Sequence, residues 1–336
     1  MSTLKEIAKA AKVSEGTVSR VLSGKIRGER GETPKKIKLI LELVKKMDYR
    51  PNASARAMAR QRTFNIGVVM GNTSQHLTSN LAAYIYSIGI NDHLREHGYM
   101  LMHIPLELEL SDASPESRAF NEQILEGLIV IGCPYHDIEE RVRALAPQVL
   151  WLDGNVYREH NCIRRDEVHA GYVVATKLLE RNPRSLIWCG PKSDPHYSLG
   201  KRLEGVRKAC AERGATLVEP FAVYDTPCPA DFPALCRGAG LVACDYLSAQ
   251  KVSHALTQQR MIFGIDYFIA SCDNDPNLPM KWPGLSSVMV DRLALGREAA
   301  RHLLQMIEEK TPMASLTMRH DWVAGETAGE LTTSAR

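Results

Sequence analysis

Beyond Phe64 the chain alternates short apolar runs with helix-length amphipathic segments, and this alternation constrains its fold more than any other feature. "FNIGVVMG" is followed by "LAAYIYSIGINDHLREHG" and then by "YMLMHIPL". "GLIVIG" and "QVLWLDG" repeat the theme. "EVHAGYVVATKLLERN" precedes "SLIWCG", and "RLEGVRKACAERG" precedes "ATLVE". "GLVACD", "SAQKVSHALTQQ" and "MIFGID" complete the series. Apolar runs without in–out alternation are strands buried on both faces, and strands separated by helices make βαβ units with parallel sheets. The predicted class is therefore α/β. Ligands in such folds sit beyond the carboxyl ends of the strands.

Polar residues collect at those ends. Asn72 and His76 follow the first run, Asp153 follows "VLWL", Asp245 follows "VAC" and Asp266 follows "IFGI". Arg202 opens the helix after "SLIWCG". Carboxylates and an arginine that converge on one crevice suit a hydroxyl-rich ligand, which needs acceptors and bidentate donors. Each aspartate also has a simpler reading, as a turn former or a helix cap.

The first 63 residues differ in kind. They hold 16 Lys and Arg against 6 Asp and Glu, whereas the whole chain of 336 residues carries a net charge of only +3. A basic head on an acidic body points to a polyanionic partner. In "STLKEIAKAAKV", Thr3 and Glu6 have the spacing of a capping box, and Leu4, Ile7, Ala8 and Ala11 form one apolar stripe. Ser14 then caps a second helix whose inward face holds Val18, Val21 and Leu22. Thr33 and Pro34 start a third helix, with Ile37, Ile40, Leu41, Val44 and Met47 as its stripe. Two short capped helices joined by a tight turn and followed by a third match a helix-turn-helix unit, in which the second helix reads the major groove.

Glu15, Gly16 and Thr17 stand at the N-terminal end of that second helix. A glycine costs a helix interior roughly 1 kcal/mol relative to alanine, less near its start. Gly16 either lets the backbone approach a base pair closely or eases the turn between the helices. Glu15 has the chemistry to accept from a cytosine amino group, and Arg20 to donate to guanine or phosphate.

"TLKEIAKAAKVSEGTVSRVL", followed by "YRPNASARAMAR", resembles the head of the LacI/GalR (lactose-repressor) family of bacterial transcription regulators. That resemblance implies operator selection by Glu15 and Gly16, with further DNA contacts at Thr3, Leu4, Ser14, Thr17, Ser19 and Arg20. It places the start of a DNA-ordered hinge helix at Tyr49, Pro51 and Asn52. Met58 then falls where the family carries a minor-groove wedge, with packing against a partner hinge as the alternative. The loop "SGKIRGERGETPKK" is longer than the family's usual link. Its Lys25, Arg27 and Arg30 either grip phosphates or form a solvated loop.

The body resembles the same family's periplasmic-binding-protein-like effector domain. "SLGKRLEGV" matches the segment whose arginine holds a sugar hydroxyl, here Arg202. "FGIDYF" matches V-G-F-D-D, which makes Asp266 its first aspartate and replaces the second by Tyr267. Cys244 replaces an asparagine of the family pattern. The implied organisation is a DNA-binding domain at 1–48, a hinge at 49–63 and an effector and dimerisation body at 64–336. The body's first lobe takes about 64–165 and 291–320, and its second about 166–290 and 321–330. "GELTTSAR" lacks the leucine repeat of tetrameric relatives, so a homodimer on a near-palindromic operator is expected.

Other readings are weaker. The eight cysteines form no C-x-x-C pair, so reduced packed thiols and a cytoplasmic protein are expected, with no export signal at the N-terminus. No window approaches the ~20 apolar residues of a membrane span. "SLGK" fits S-x-x-K without its companion motifs, and no nucleotide loop is present. His93 and His97 stand four apart without H-E-x-x-H, which reads as an exposed helix face and not a metal site. No cofactor and no catalytic residue are expected. The resulting expectation is a repressor of carbohydrate-related genes controlled by a sugar or sugar derivative. The alternatives are a soluble sugar receptor without a DNA role, or a regulator that has lost its ligand.

Overall fold

The structure, a computed structural model, describes residues 2–24, 34–52, 55, 57–58, 61–71, 77–106, 122–132, 139, 142–143, 146–191, 196–221, 231–277, 282 and 284–328. The chain divides into two compact units, Met1–Thr63 and Phe64–Arg336.

The first unit holds helices α1 (Leu4–Ala11), α2 (Glu15–Leu22) and α3 (Pro34–Lys46). The capping box at its start is complete. Glu6 N–H donates to Thr3 Oγ1 at 3.3 Å, and Thr3 N–H donates to Glu6 Oε2 at 2.9 Å. Ile7, Ala8, Ala11, Val18, Val21 and Ile40 form a small core, closed by Leu4, Val13, Leu22, Ile37, Leu43, Val44 and Met47. Leu41, expected in that core, is exposed. Leu43 takes its place, because a helix turns 100° per residue and position 41 is one step off the 37–40–44–47 stripe.

The second unit holds two six-stranded sheets. Its elements are β1 (Asn65–Gly71), α4 (Leu77–Glu96), β2 (Met100–Leu106), β3 (Gly127–Ile131), β4 (Val149–Leu152), β5 (Cys162–Arg165), α5 (Glu167–Leu179), β6 (Leu186–Cys189), α6 (Tyr197–Arg213), β7 (Leu217–Phe221), α7 (Phe232–Cys236), β8 (Gly240–Ala243), α8 (Tyr246–Gln258), β9 (Phe268–Asn274), β10 (Ser286–Met289), α9 (Arg292–Glu309), β11 (Leu316–Met318) and β12 (Asp321–Val323). The first sheet runs β11-β5-β4-β3-β1-β2 and the second β12-β10-β9-β8-β6-β7. Every pairing is parallel except β10 with β12. The strand order of a doubly wound fold thus occurs twice, and each copy has a switch point at its carboxyl edge.

Burial explains why the runs lack alternation. Leu186 and Trp188 of β6 face Val174, Leu178 and Val206 of the helices on one side. Ile187 and Cys189 face Phe232, Val252 and Leu256 on the other. The first sheet is likewise covered twice, with Ile66, Val68 and Ile129 against Leu295, Ala299 and Leu303, and Val69, Leu128 and Val130 in a separate cluster. Each such aliphatic side chain contributes roughly 1.5–3 kcal/mol by leaving water. The chain passes between the sheets three times: after β5, after β10 and between β11 and β12.

One expected strand is displaced. "MIFGID" forms a turn with Gly264 at φ 79°, and the strand begins later, at Phe268. Ser271 interrupts the apolar stretch of that strand and hides its pattern. β5, β10, β11 and β12 are too short to show a pattern in the sequence. Six cysteines, Cys162, Cys189, Cys210, Cys236, Cys244 and Cys272, are buried thiols, and Cys133 and Cys228 lie outside the described residues. No described helix is long and apolar enough to cross a membrane.

Candidate functional site

In the head, the sequence places a polar edge at the start of α2. Ser14 Oγ accepts from Thr17 N–H at 3.2 Å and lies 3.0 Å from Thr17 Oγ1. Thr17, expected at the exposed edge, is buried, so its hydroxyl serves the cap. Leu4 and Tyr49 also pack against the core. Glu15, Gly16, Ser19 and Arg20 are exposed, and Arg20 Nε donates to the Gly16 carbonyl at 3.3 Å.

The turn between the helices does not need Gly16. Its left-handed residue is Lys12, at φ 55°, whose position closes α1. A Cβ on Gly16 would meet only Ser14 Oγ, at an ordinary 3.8 Å. Nothing within the head therefore requires the missing side chain.

Past α3, Asn52 Oδ1 accepts from Ala55 N–H at 3.2 Å, the geometry of a helix N-cap. Residues 55, 57 and 58 are helical, and Met58 is 83% exposed. Arg27 and its loop, the Thr33 cap, Asn72 and His76 lie outside the described residues.

In the body, the carboxyl edges of the two sheets bring together a buried ionic cluster. Asp153 follows β4 in a left-handed conformation, φ 52°. It accepts from Tyr86 Oη at 2.9 Å, Tyr197 Oη at 2.7 Å and Arg165 Nε at 3.0 Å. Arg165, the last residue of β5, also reaches Glu167 at 2.9 Å and Asp273 at 2.7 Å. Arg202 is bidentate to Glu167, at 2.7 and 2.8 Å. It donates further to Asp273 and to the Cys244 carbonyl, each at 2.7 Å. Arg292, at the start of α9, donates to Asp273 at 2.7 and 2.8 Å and to Asp275 at 3.2 Å. All of these charged side chains are at least nine-tenths buried.

Helix packing sets this geometry. A Cβ on Gly171 of α5 would stand 1.9 Å from the Arg202 carbonyl oxygen, so only glycine lets α6 come close enough for Arg202 to meet Glu167. Electrostatics then hold the cluster ionised. Burial pushes the Asp273 carboxyl up, and the charges of Arg292, Arg165 and Arg202 outweigh it, leaving the group well below the usual carboxylate range. Asp153 behaves alike: burial is outweighed by Arg165, His196 and the bonds from Arg165 and Tyr197. Burial, with Asp153 next, pushes the Tyr86 and Tyr197 phenols up.

Against the expected crevice residues, Asp153 and Arg202 come together through Arg165 and Glu167. Asp245 lies at the same edge but caps α8, accepting from Ser248 N–H at 2.8 Å. Asp266 is a correction. It precedes β9, at the opposite, amino edge of the second sheet, where it pairs with Arg237 at 2.6 Å and accepts from Ile262 N–H at 2.9 Å. The carboxylate at the strand's carboxyl end is Asp273.

Two stretches of the chain match known domain profiles. Residues 3–52 match the bacterial regulatory proteins of the lacI family, and residues 175–328 match the periplasmic binding protein-like domain. Its head is thus a lacI-family regulatory domain. Catabolite control protein A of Priestia megaterium is 24% identical to it over 328 residues, which is 94% of this chain and 95% of that protein. The ribose operon repressor of Bacillus subtilis is 24% identical over 326 residues, 95% of each. Among solved structures, the lac repressor dimer bound to operator and the anti-inducer ONPF superposes with a TM-score of 0.74 at 18% identity, covering 98% of this chain and 99% of that one. The chain is thus a helix-turn-helix regulator with a two-sheet α/β body.

Sequence reading missed Arg165, Glu167, Asp273, Asp275 and Arg292 in the body. Arg165 ends a strand of four residues and Glu167 opens the helix after it, and Arg292 follows the Asp291 cap of α9. The one available signal was the acidic end of "FIASCDND", which the misplaced strand obscured.

Proposed function

We propose that this chain is a sequence-specific repressor of carbohydrate-related genes, that it binds a near-palindromic operator as a homodimer, and that a sugar or sugar derivative in the crevice between its two sheets controls it. The observation that carries the DNA half is the start of α2. Glu15, Gly16, Ser19 and Arg20 form an exposed edge that the head's own packing does not use, and the glycine has no internal cause. In this reading Glu15 and Gly16 select bases, while Thr3, Ser14, Ser19 and Arg20 add contacts to bases or phosphates. Leu4, Thr17 and Tyr49 hold the helices in place. Asn52 caps the hinge turn, and Met58 is the wedge. On the loop outside the described residues, Arg27 meets phosphates.

Dimerisation has a physical candidate on α4. Leu81, Tyr84 and Ile88 form an exposed stripe at helical spacing, 37%, 58% and 39% accessible. A second copy of the chain would cover it, as the two-fold symmetry of an operator requires.

In the crevice, Asp153, Arg202, Arg165, Asp273 and Arg292 would hold the effector, with Asp245 at the rim and Asn72 and His76 from the loop outside the described residues. Arg202 is already committed to Glu167, Asp273 and Cys244. A ligand must therefore exchange its own hydroxyls for these bonds and prefer one lobe arrangement by several kcal/mol to switch the population. The same self-satisfied cluster favours a second reading, a regulator whose crevice no longer takes a ligand.

Selection from random duplex DNA by the purified chain tests the first reading. Enrichment of a near-palindrome is expected, and enrichment of nothing with or without pooled sugars would defeat it. Thermal shift across a panel of sugars separates the two crevice readings, since only a liganded one raises the melting temperature.

A further inference from the structure

The sequence "HLREH" at the end of α4 has a property that its role in packing against α9 does not use. His93, Glu96 and His97 each present a ligand atom, and these atoms all lie within 4.8 Å of one another. Residues three and four apart share one helix face. His93 is half-buried, and Glu96 and His97 are exposed, so an ion can reach all three from solvent. The spacing H-x-x-E-H is also one at which paired histidines of known metalloenzymes hold zinc.

The geometry around the pair carries more. His97 Nδ1 lies 2.9 Å from the His93 carbonyl oxygen. A ring nitrogen that donates to a backbone carbonyl fixes the tautomer, orients the imidazole and leaves Nε2 with its lone pair outward, the arrangement that metal-ligating histidines commonly show. The two rings already face each other, with centroids 4.3 Å apart.

The surrounding charge tolerates a cation. Arg297 donates to Asp92 at 2.8 Å and stands 3.6 Å from Glu96, and Arg301 is bidentate to Glu298 at 2.7 and 2.9 Å. Three carboxylates thus face two guanidiniums. If Glu96 turns to an ion, Arg297 keeps Asp92.

We propose that His93, Glu96 and His97 form a site for one divalent transition ion of the borderline class, such as Zn²⁺ or Ni²⁺. Two imidazoles and a carboxylate are the donors such ions take, with water completing the coordination. The site shares no residue with α2 or with the crevice cluster.

Calorimetric titration of the full, untagged, chelator-dialysed chain with Ni²⁺ tests it. One ion per chain is expected to bind saturably. Outer partners alone are worth about 10–100-fold in metal affinity, so His97→Ala and the double variant His93→Ala/His97→Ala should lose at least that much, and Glu96→Gln should weaken binding less. Because His97 is exposed, His97→Ala should keep the wild-type melting temperature in chelator. Ni²⁺ should raise the melting temperature of the wild type but not of the variant. No saturable binding by the wild type, or undiminished binding by His97→Ala, would overturn the site.

Discussion

Arg165 and Asp273 meet at 2.7 Å although their strands belong to different sheets. Asp273 accepts at the same time from Arg202 and Arg292. One carboxylate therefore ties the end of β5, the first turns of α6 and the start of α9 to β9. Removing it takes a shared carboxylate from three buried guanidiniums, and breaking a buried pair from one side costs about 3–5 kcal/mol. Asp273→Ala is expected to lower the unfolding free energy by that amount in urea denaturation. Asp266→Ala breaks a pair whose arginine is 63% exposed, so a loss nearer ~1 kcal/mol is expected. Equal losses at the two positions would deny Asp273 its role as the hub.

The same cluster sets a pH dependence. The folded-state values of Asp153 and Asp273 lie below their unfolded ones. Their contribution is complete above the unfolded carboxylate range, near ~4, and is lost as pH falls through the folded values. Urea midpoints should hold steady with respect to these groups above that range and drop below it. Asp153→Asn should flatten the acid limb. A limb of unchanged steepness in Asp153→Asn would place the titration elsewhere.

Gly16 offers a test in which stability and function move apart. A Cβ there meets only Ser14 Oγ, at 3.8 Å, and alanine is the better helix former by up to ~1 kcal/mol, less near a helix start. Gly16→Ala is therefore expected to leave the head as stable as before or slightly more so, and yet to change which operator is enriched from random DNA. A destabilised head would mean that the glycine serves the fold.

How much of this was legible in the sequence follows from the range of each interaction. The head is built from contacts three or four residues apart, such as Thr3 with Glu6 and Ser14 with Thr17, and these patterns are local. The apolar runs of β3, β4, β6 and β8 are equally readable, because burial on both faces removes polar residues from them. The crevice is not local. Arg165 and Asp273 are 108 residues apart, and Arg202 and Glu167 are 35 apart. A strand of four residues such as β5 carries too little pattern to be seen, and β9 is broken by Ser271 at an internal hydrogen bond to the Asp273 carbonyl. Resemblance pointed to Arg202, which stands in the crevice cluster, and to Asp266, seven residues before the Asp273 that stands there, since both stretches present an apolar run ending in Asp.

Tyr84 lies at the centre of the exposed stripe on α4 and is 58% accessible. Exposed aromatic residues flanked by aliphatic ones suit the desolvated centre of an interface, where a charge has no partner and costs several kcal/mol. Tyr84→Asp should leave the isolated fold intact, because a surface position tolerates substitution within about 0.5 kcal/mol. It should shift the chain from dimer to monomer in sedimentation equilibrium. Operator affinity should fall with it, since a single head loses the second half-site and with it the gain of linked binding. A Tyr84→Asp chain that remained dimeric would move the interface off this face of α4, and a monomer that still bound the operator at wild-type affinity would break the link between dimerisation and DNA recognition.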